Sequence, residues 1–173
     1  MKLGIVGTGK VAYRHFEEFS KIDGVKVEAV CDVNSENLNL FTKKFGNHLR
    51  KYSSVDEMLK EEKNFDGICN NTPDRFHKEV SLKILEKGIN IFSEKPLAEN
   101  YEDAKILTDL AHKQKVINMV NFTYRESSGY QKLVETIKSD ALGGIKHVNA
   151  NYYQSWLTSN LWGNWKEEDT WLW

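Results

Sequence analysis

The sequence lacks several features that would each indicate a particular class of protein. It has only two cysteines and two prolines in 173 residues. The cysteines, Cys31 and Cys69, each close an apolar segment, so we interpret them as buried free thiols and expect neither a disulfide nor a metal site. No run approaches the length of about 18 apolar residues that a membrane-spanning helix needs, so no such helix is predicted.

An excess of charge of one sign is also missing. The chain has 24 basic and 25 acidic residues, a net charge of -1, and no lysine and arginine cluster of the kind that nucleic acid or an anionic membrane requires. The N-terminal MKLGIVGTG has too short an apolar core for a signal peptide. We therefore expect a cytoplasmic protein whose partner is a small molecule, with no nucleic acid and no membrane.

What the sequence does have is a regular alternation of short apolar segments and segments of helical periodicity. Strands separated by single helices cannot form hairpins, so the pattern predicts an α/β fold with a Rossmann-type, doubly wound parallel sheet over residues 1–122. The predicted strands are 2–7, 25–33, 65–71, 89–95 and 116–122, and the predicted helices are 11–22, 35–46, 54–62, 74–88 and 101–114.

The pattern changes after residue 122. A helix is predicted over 128–144 and, over 145–156, a strand of a different sheet. Residues 157–173 then carry four of the five tryptophans, with too little chain around them to bury such large side chains. We interpret 123–173 as the start of an incomplete α+β domain that serves substrate binding or oligomerisation.

A glycine-rich turn lies between the first predicted strand and the first predicted helix. The stretch GTGKVA fits G-x-G-x-x-G/A, in which Gly7 allows a tight turn, Gly9 lets a pyrophosphate approach the backbone, and Ala12 permits close packing. Asp32 ends the second strand, where an acid accepts hydrogen bonds from a ribose and repels a 2′-phosphate, which favours NAD over NADP. The alternatives are a purely structural glycine turn and a turn or cap role for Asp32, although Ser35 is the better placed cap.

Two further motifs follow strands at the same predicted edge of the sheet. In NTPDRFH, Thr72 and Pro73 end a strand, and His77 lies in the first turn of a helix; an ordinary packed histidine is the alternative. In SEKP, Lys95 is placed to reach a nicotinamide ribose and a substrate hydroxyl, whose pKa a cation lowers. Pro96 would fix the direction of this turn, with a cis bond as one way to do so, and a surface turn is the alternative.

These motifs, GIVGTGKVA, CDV, NTPDRFH and SEKPLA, in this order and spacing resemble the glucose-fructose oxidoreductase, inositol dehydrogenase and rhizopine-catabolism family, written Gfo/Idh/MocA. EKP is the most specific element, and NFTYR and GGIKHVNANYYQSW resemble the family's transition into its substrate domain. The resemblance implies an NAD(P)-dependent dehydrogenase that transfers hydride between nicotinamide and a hydroxyl carbon of a sugar, cyclitol or related polyol. Residues 1–122 would then be the NAD(P)-binding domain.

The resemblance also implies roles for individual residues. Lys95 would be catalytic in a proton relay, and Tyr124 and Arg125 would face the substrate. The dinucleotide would be held by Gly7, Gly9, Lys10, Val11, Asp32, Thr72, Pro73, His77, Glu94 and Lys95.

The chain departs from the family pattern in two places. It ends before the stretch that normally supplies the remaining acid and base residues, and Glu126 follows the arginine where an aromatic residue is common. The alternative to a dehydrogenase is a non-catalytic dinucleotide-binding sensor or an inactive fragment. Family members commonly pair through a sheet beyond this point, so a homo-oligomer is left open.

Overall fold

The computed structural model describes residues 1–153 and 155, and its first 122 residues alternate strands and helices. The strands are β1 (Lys2–Val6), β2 (Lys26–Cys31), β3 (Arg50–Tyr52), β4 (Gly67–Asn70), β5 (Asn90–Ser93) and β6 (Asn118–Val120). The helices are α1 (Lys10–Phe19), α2 (Ser35–Phe45), α3 (Val55–Glu61), α4 (Asp74–Glu86) and α5 (Tyr101–Gln114).

The six strands form one sheet in the order β3-β2-β1-β4-β5-β6, and every neighbouring pair is parallel. This confirms the predicted doubly wound sheet. The strand order reverses between β1 and β4, and in open parallel sheets ligands bind in the crevice outside the carboxyl ends of the strands at that point. The turns that follow β1 and β4 are therefore the first place to look for a site.

Strand β3 is one element that the sequence pattern did not predict. It has three residues, two of them exposed, and it pairs with β2 at the edge of the sheet. Arg50 in this strand forms ion pairs with Glu28 and Glu62. A short polar edge strand has no apolar periodicity, so its position depends on contacts with residues distant in sequence.

The core lies on both faces of the sheet. Ile5 and Val6 are adjacent and buried, and they belong to two different apolar clusters because successive side chains of a strand point to opposite faces. Buried residues of α1 and α2 join the cluster of Ile5, whereas those of α3, α4 and α5 join the cluster of Val6. Helices thus cover both faces and leave the carboxyl edge of the sheet for the turns.

A second compact unit begins at Thr123. It contains α6 (Ser128–Lys138), which ends earlier than predicted because Asp140 and then Gly143 adopt left-handed backbone conformations. The predicted strand over 145–156 is wrong for residues 145–153, which pair with no described strand and so form no ladder. The tryptophan-rich 157–173, with Gln154 and Trp156, lies outside the described residues. Within 1–153 and 155, no helix is both long and apolar enough to cross a membrane.

Candidate functional site

The turn after β1 is pressed directly against the turn after β4. Gly7 has φ +84°, and a Cβ atom there would lie 2.7 Å from the backbone carbon and oxygen of Asn71. The Gly7 amide donates a 2.8 Å hydrogen bond to the Cys31 carbonyl at the end of β2. Only glycine fits this position, because both the backbone angle and the close approach exclude a side chain.

The other glycine of the turn is open instead of packed. Gly9 is the N-cap of α1, with an extended backbone, and a Cβ there would meet nothing within 4 Å. Among the described helices, α1, α4 and α6 have no side-chain cap, whereas α2, α3 and α5 are capped by side chains. Lys10 and Val11, which begin α1, are exposed. An uncapped helix N-terminus behind an open glycine is suited to an anion such as a phosphate.

Asp32 ties the glycine turn to the end of β2. Its Oδ2 accepts hydrogen bonds from the Thr8 amide at 2.7 Å and the Thr8 hydroxyl at 2.8 Å, and its Oδ1 accepts one from the Asn34 amide at 2.8 Å. The two carboxylate oxygens can accept about four bonds, so one position on Oδ1 is left. Asn34, not Ser35, caps α2, since Asn34 Oδ1 accepts from two amides of the first turn. The expectation of Ser35 as the cap is therefore wrong: Ser35 is already helical.

The turn after β4 is organised by a buried amide. Asn70 is fully buried, and its Oδ1 accepts from the Thr72 hydroxyl at 2.7 Å and the Thr72 amide at 3.2 Å. Pro73, which is exposed, is the N-cap of α4. Asn71 Nδ2 is buried and has no hydrogen-bond partner among the described residues. This amide is a donor without an acceptor, beside the glycine turn.

His77 joins the turn after β4 to the turn after β5. Its side chain is fully buried, with Nε2 2.7 Å from the Thr72 carbonyl oxygen and Nδ1 2.5 Å from the Pro96 carbonyl oxygen. Each ring nitrogen thus lies within hydrogen-bond distance of a backbone carbonyl, one from each turn. In this position His77 fixes the two turns and offers no exposed atom.

The turn after β5 carries Glu94, Lys95 and Pro96, and the Lys95–Pro96 peptide bond is cis. Lys95 is exposed, and its amide lies 3.3 Å from Glu94 Oε2. Glu94 Oε1 is 2.6 Å from His15 Nε2 and accepts a 2.7 Å hydrogen bond from Asn121 Nδ2. Burial acts to raise the pKa of Glu94, but the hydrogen bonds from His15 and Asn121 outweigh it and hold that pKa below its usual range.

Sequence reasoning missed His15 and Asn121. Asn121 directly follows β6, so the rule that identified Asp32, Thr72 and Glu94, polar residues just after parallel strands, would have found it. His15 lies inside α1 and carries no such signal.

The predicted residues of the first unit lie in the turns after β1, β2, β4 and β5 or in the first turns of α1 and α4, all at the carboxyl edge of the sheet. Tyr124 and Arg125 belong to the second unit and are exposed. There the Tyr152 hydroxyl donates to the Tyr124 hydroxyl at 2.9 Å, and the Arg125 carbonyl accepts from Gln131 at 2.6 Å. Their part in substrate binding stays a prediction.

The residues present fit a dinucleotide. The turns after β1, β2 and β4 offer open space at Gly9, an uncapped helix N-terminus, an acceptor position left on Asp32 and an unpartnered donor on Asn71. The described residues contain no group of three or more His, Cys, Asp or Glu side chains arranged to hold a metal ion. Strand order and glycine turn together define the class: a Rossmann-type nucleotide-binding domain.

Comparison with known proteins identifies the family. The chain belongs to the Gfo/Idh/MocA family, described as an oxidoreductase family with an NAD-binding Rossmann fold, whose model matches residues 1–122.

Similar proteins of assigned activity include glucose-6-phosphate 3-dehydrogenase of Bacillus subtilis, 31% identical over 87% of this chain and 42% of that protein. Myo-inositol 2-dehydrogenase of Thermotoga maritima is 26% identical over 83% of this chain and 42% of that protein. Among solved structures, the WlbA dehydrogenase of Chromobacterium violaceum in complex with NADH and UDP-GlcNAcA superposes with a TM-score of 0.77 at 26% identity, covering 83% of this chain and 41% of the other. The chain thus spans less than half the length of these relatives.

Proposed function

We propose that this chain is the cofactor-binding part of an NAD-dependent dehydrogenase that transfers hydride between nicotinamide and a hydroxyl carbon of a sugar, cyclitol or related polyol. The observation that carries this proposal is the convergence of three turns on adjacent strands. The turn after β1 packs against the turn after β4 at Gly7, and His77 bonds the turn after β4 to the turn that carries Lys95. One extended ligand can therefore contact all three.

The turns after β1 and β2 would bind the dinucleotide. When bound, NAD supplies the nicotinamide ring that exchanges a hydride with the substrate carbon. Gly9, Lys10 and Val11 at the open N-terminus of α1 would hold the diphosphate, and Asp32 would accept a bond from the adenosine ribose through Oδ1. No arginine follows Asp32 in residues 33–37, so a 2′-phosphate would meet a carboxylate without a compensating cation.

The turn after β5 would carry the acid–base chemistry. The exposed side chain of Lys95 would contact the substrate hydroxyl, where a cation lowers the pKa of the alcohol and eases loss of its proton. Glu94 and Pro96 fix the backbone on either side of Lys95, and Thr72 and Pro73 would line the nicotinamide side. The buried His77 would act by holding these two turns together instead of touching the ring itself.

The substrate class rests on the relatives, which include dehydrogenases of glucose 6-phosphate and of myo-inositol. Both substrates are rings with several hydroxyl groups. We further propose that the chain is a piece of a longer cytoplasmic protein, with 1–122 as its cofactor domain and 123–173 as the start of its substrate domain. On this view the 173-residue chain binds NADH but turns over substrate poorly, because the remaining acid and base residues are not in it.

The test is a calorimetric titration of the purified chain with NADH and, separately, with NADPH. We expect saturable NADH binding that weakens in Asp32→Asn, which removes the charge at nearly constant volume. The matched control is Asp23→Asn, an exposed acid in the loop after α1 that should leave NADH affinity unchanged. Absence of binding of either nucleotide by a chain with a native circular dichroism spectrum would refute the proposal.

A further inference from the structure

Glu94 joins three elements that are far apart in sequence. It follows β5, and its Oε1 lies 2.6 Å from His15 Nε2 in α1 and 2.7 Å from Asn121 Nδ2, which follows β6. The Glu94 amide in turn donates a 2.9 Å hydrogen bond to the Asn70 carbonyl at the end of β4. The residue before Lys95 is thus fixed by α1, β4 and β6 at once.

The direction of the His15 hydrogen bond follows from the charge of its partner. An ionised carboxylate can only accept, so His15 Nε2 carries the proton and donates it. Side-chain exposure is 12% for His15 and 13% for Glu94, which makes the pair largely shielded from water. The imidazole stacks on Phe19 at 5.9 Å and meets the edge of Phe92 at 5.4 Å, so its orientation is held by packing as well.

His15 Nε2 and Asn121 Nδ2 together fill both acceptor positions of Glu94 Oε1. The other oxygen, Oε2, accepts the Lys95 amide at 3.3 Å and keeps one acceptor position. Any ligand hydroxyl that reaches Glu94 must therefore bind Oε2, on the side of the carboxylate nearer the Lys95 backbone.

We propose that His15 is a positioning residue of the candidate dinucleotide site, which couples the helix behind the glycine turn to the turn that carries Lys95 by holding Glu94 Oε1. This inference rests on the proposed function. A dinucleotide would place its diphosphate at the N-terminus of α1 and its nicotinamide beside Lys95, so the separation of these two parts of the protein must match the ligand. His15 lies five residues after the start of α1 and sets that separation.

The test compares three substitutions. His15→Phe keeps an aromatic ring against Phe19 and Phe92 but removes the donor, whereas His15→Gln keeps an N–H donor at nearly the same reach. His112→Phe, at an exposed histidine of α5, is the matched control. For each purified chain, NADH affinity is measured by calorimetry, and the Glu94 carboxyl is titrated by ¹³C NMR.

We expect His15→Phe to weaken NADH binding about tenfold, as loss of one charge-assisted hydrogen bond does, and His15→Gln to recover most of the affinity. The Glu94 pKa should rise in His15→Phe, because one of the bonds that stabilise its charged form is gone, and His112→Phe should match the wild type. Wild-type affinity and an unchanged Glu94 pKa in His15→Phe would overturn the inference. Equal damage by Gln and Phe would overturn it too, since the ring and not the donor would then matter.

Two further outcomes of this test also bear on the inference: a His15→Phe variant that does not fold, and a wild-type chain that binds no dinucleotide. If His15→Phe does not fold, Asn121→Leu removes the second donor to Oε1 without touching α1, and unchanged NADH affinity in that variant counts against the inference. If the wild-type chain binds neither NADH nor NADPH, the proposed function has failed, and the Glu94 titration alone then decides whether His15 holds this carboxylate.

Discussion

Replacing Gly7 by alanine should destabilise the protein more than the same replacement at Gly24 or Gly9. The positive φ of +84° costs an alanine about 1–2 kcal/mol. The new Cβ would lie 2.7 Å from the Asn71 backbone, and overpacking of this kind costs a further ~1–3 kcal/mol. The backbone cannot move away freely, because the Asn71 amide donates a 2.7 Å hydrogen bond to the Val6 carbonyl of β1.

Two other glycines separate these contributions. Gly24 has φ +78° with nothing within 4 Å of its Cβ position, so Gly24→Ala measures the backbone cost alone. Gly9 has φ -68° and open space, so Gly9→Ala should cost less than about 1 kcal/mol of stability. Its methyl group would nevertheless occupy the space through which a diphosphate approaches the backbone, and we expect NADH affinity to fall about tenfold or more.

Urea unfolding followed by far-ultraviolet circular dichroism gives the free energy of unfolding of each variant, and calorimetry gives NADH affinity. The expected order of stability loss is Gly7→Ala, then Gly24→Ala, then Gly9→Ala. A Gly7→Ala protein no less stable than Gly24→Ala would show that the contact between the turns after β1 and β4 is not as tight as the structure has it. Normal NADH affinity in Gly9→Ala would refute the assignment of the glycine turn to the diphosphate.

Three other predictions concern buried groups. Burial raises the pKa of the Cys31 thiol to about 12 and the pKa of the Cys69 thiol well above its usual range. Both thiols should therefore react with Ellman's reagent only after urea unfolds the chain, and prompt reaction of the native protein would contradict this prediction. The Ser93 hydroxyl is buried beside a cavity of about 40 Å³ and has no hydrogen-bond partner among the described residues. Ser93→Ala should therefore leave the free energy of unfolding unchanged or raise it by up to about 1 kcal/mol. A clear decrease in that free energy, measured by urea unfolding, would contradict this prediction. The pKa of Glu94 is lowered from 4.5, so its ionised form stabilises the folded protein above about pH 4.5, and this stabilisation is lost as the pH falls through the folded pKa. In Glu94→Gln, the free energy of unfolding should therefore fall less steeply with decreasing pH than in the wild type. Equal slopes in the two proteins would contradict this prediction.

Most of the first unit follows from local sequence patterns. Helix α5 has the predicted bounds, α2 and α4 begin at the predicted residue, and every other end of α1 to α4 lies within three residues of its prediction. Parallel topology followed from the alternation itself, because single helices between strands exclude hairpins. What failed depended on distant partners: β3 has no apolar period, and 145–153 form a strand only if another strand lies beside them.

The candidate site shows the same difference between residues that local sequence position predicts and residues that only distant contacts identify. Gly7, Asp32, Thr72 and Lys95 could be selected because each lies within two residues of the end of a parallel strand, and the fold brings those ends to one edge. The partner of Glu94 in α1 could not be selected, because His15 lies 79 residues away and helical residues carry no comparable signal.

The hydrogen bonds of the site show why its motifs are polar and yet structural. Asp32 accepts from the Thr8 amide, Asn70 accepts from the Thr72 amide, and the His77 ring lies within hydrogen-bond distance of the Thr72 and Pro96 carbonyls. These side chains thus contact backbone groups that a tight turn leaves without a helix or sheet partner. The polar residues at the strand ends therefore shape the turns first. On the proposed function, a ligand would contact positions that the turns expose, among them Gly9 after β1 and Lys95 after β5. A motif of this kind is specific because the same residues must both close the turns and leave these two positions open.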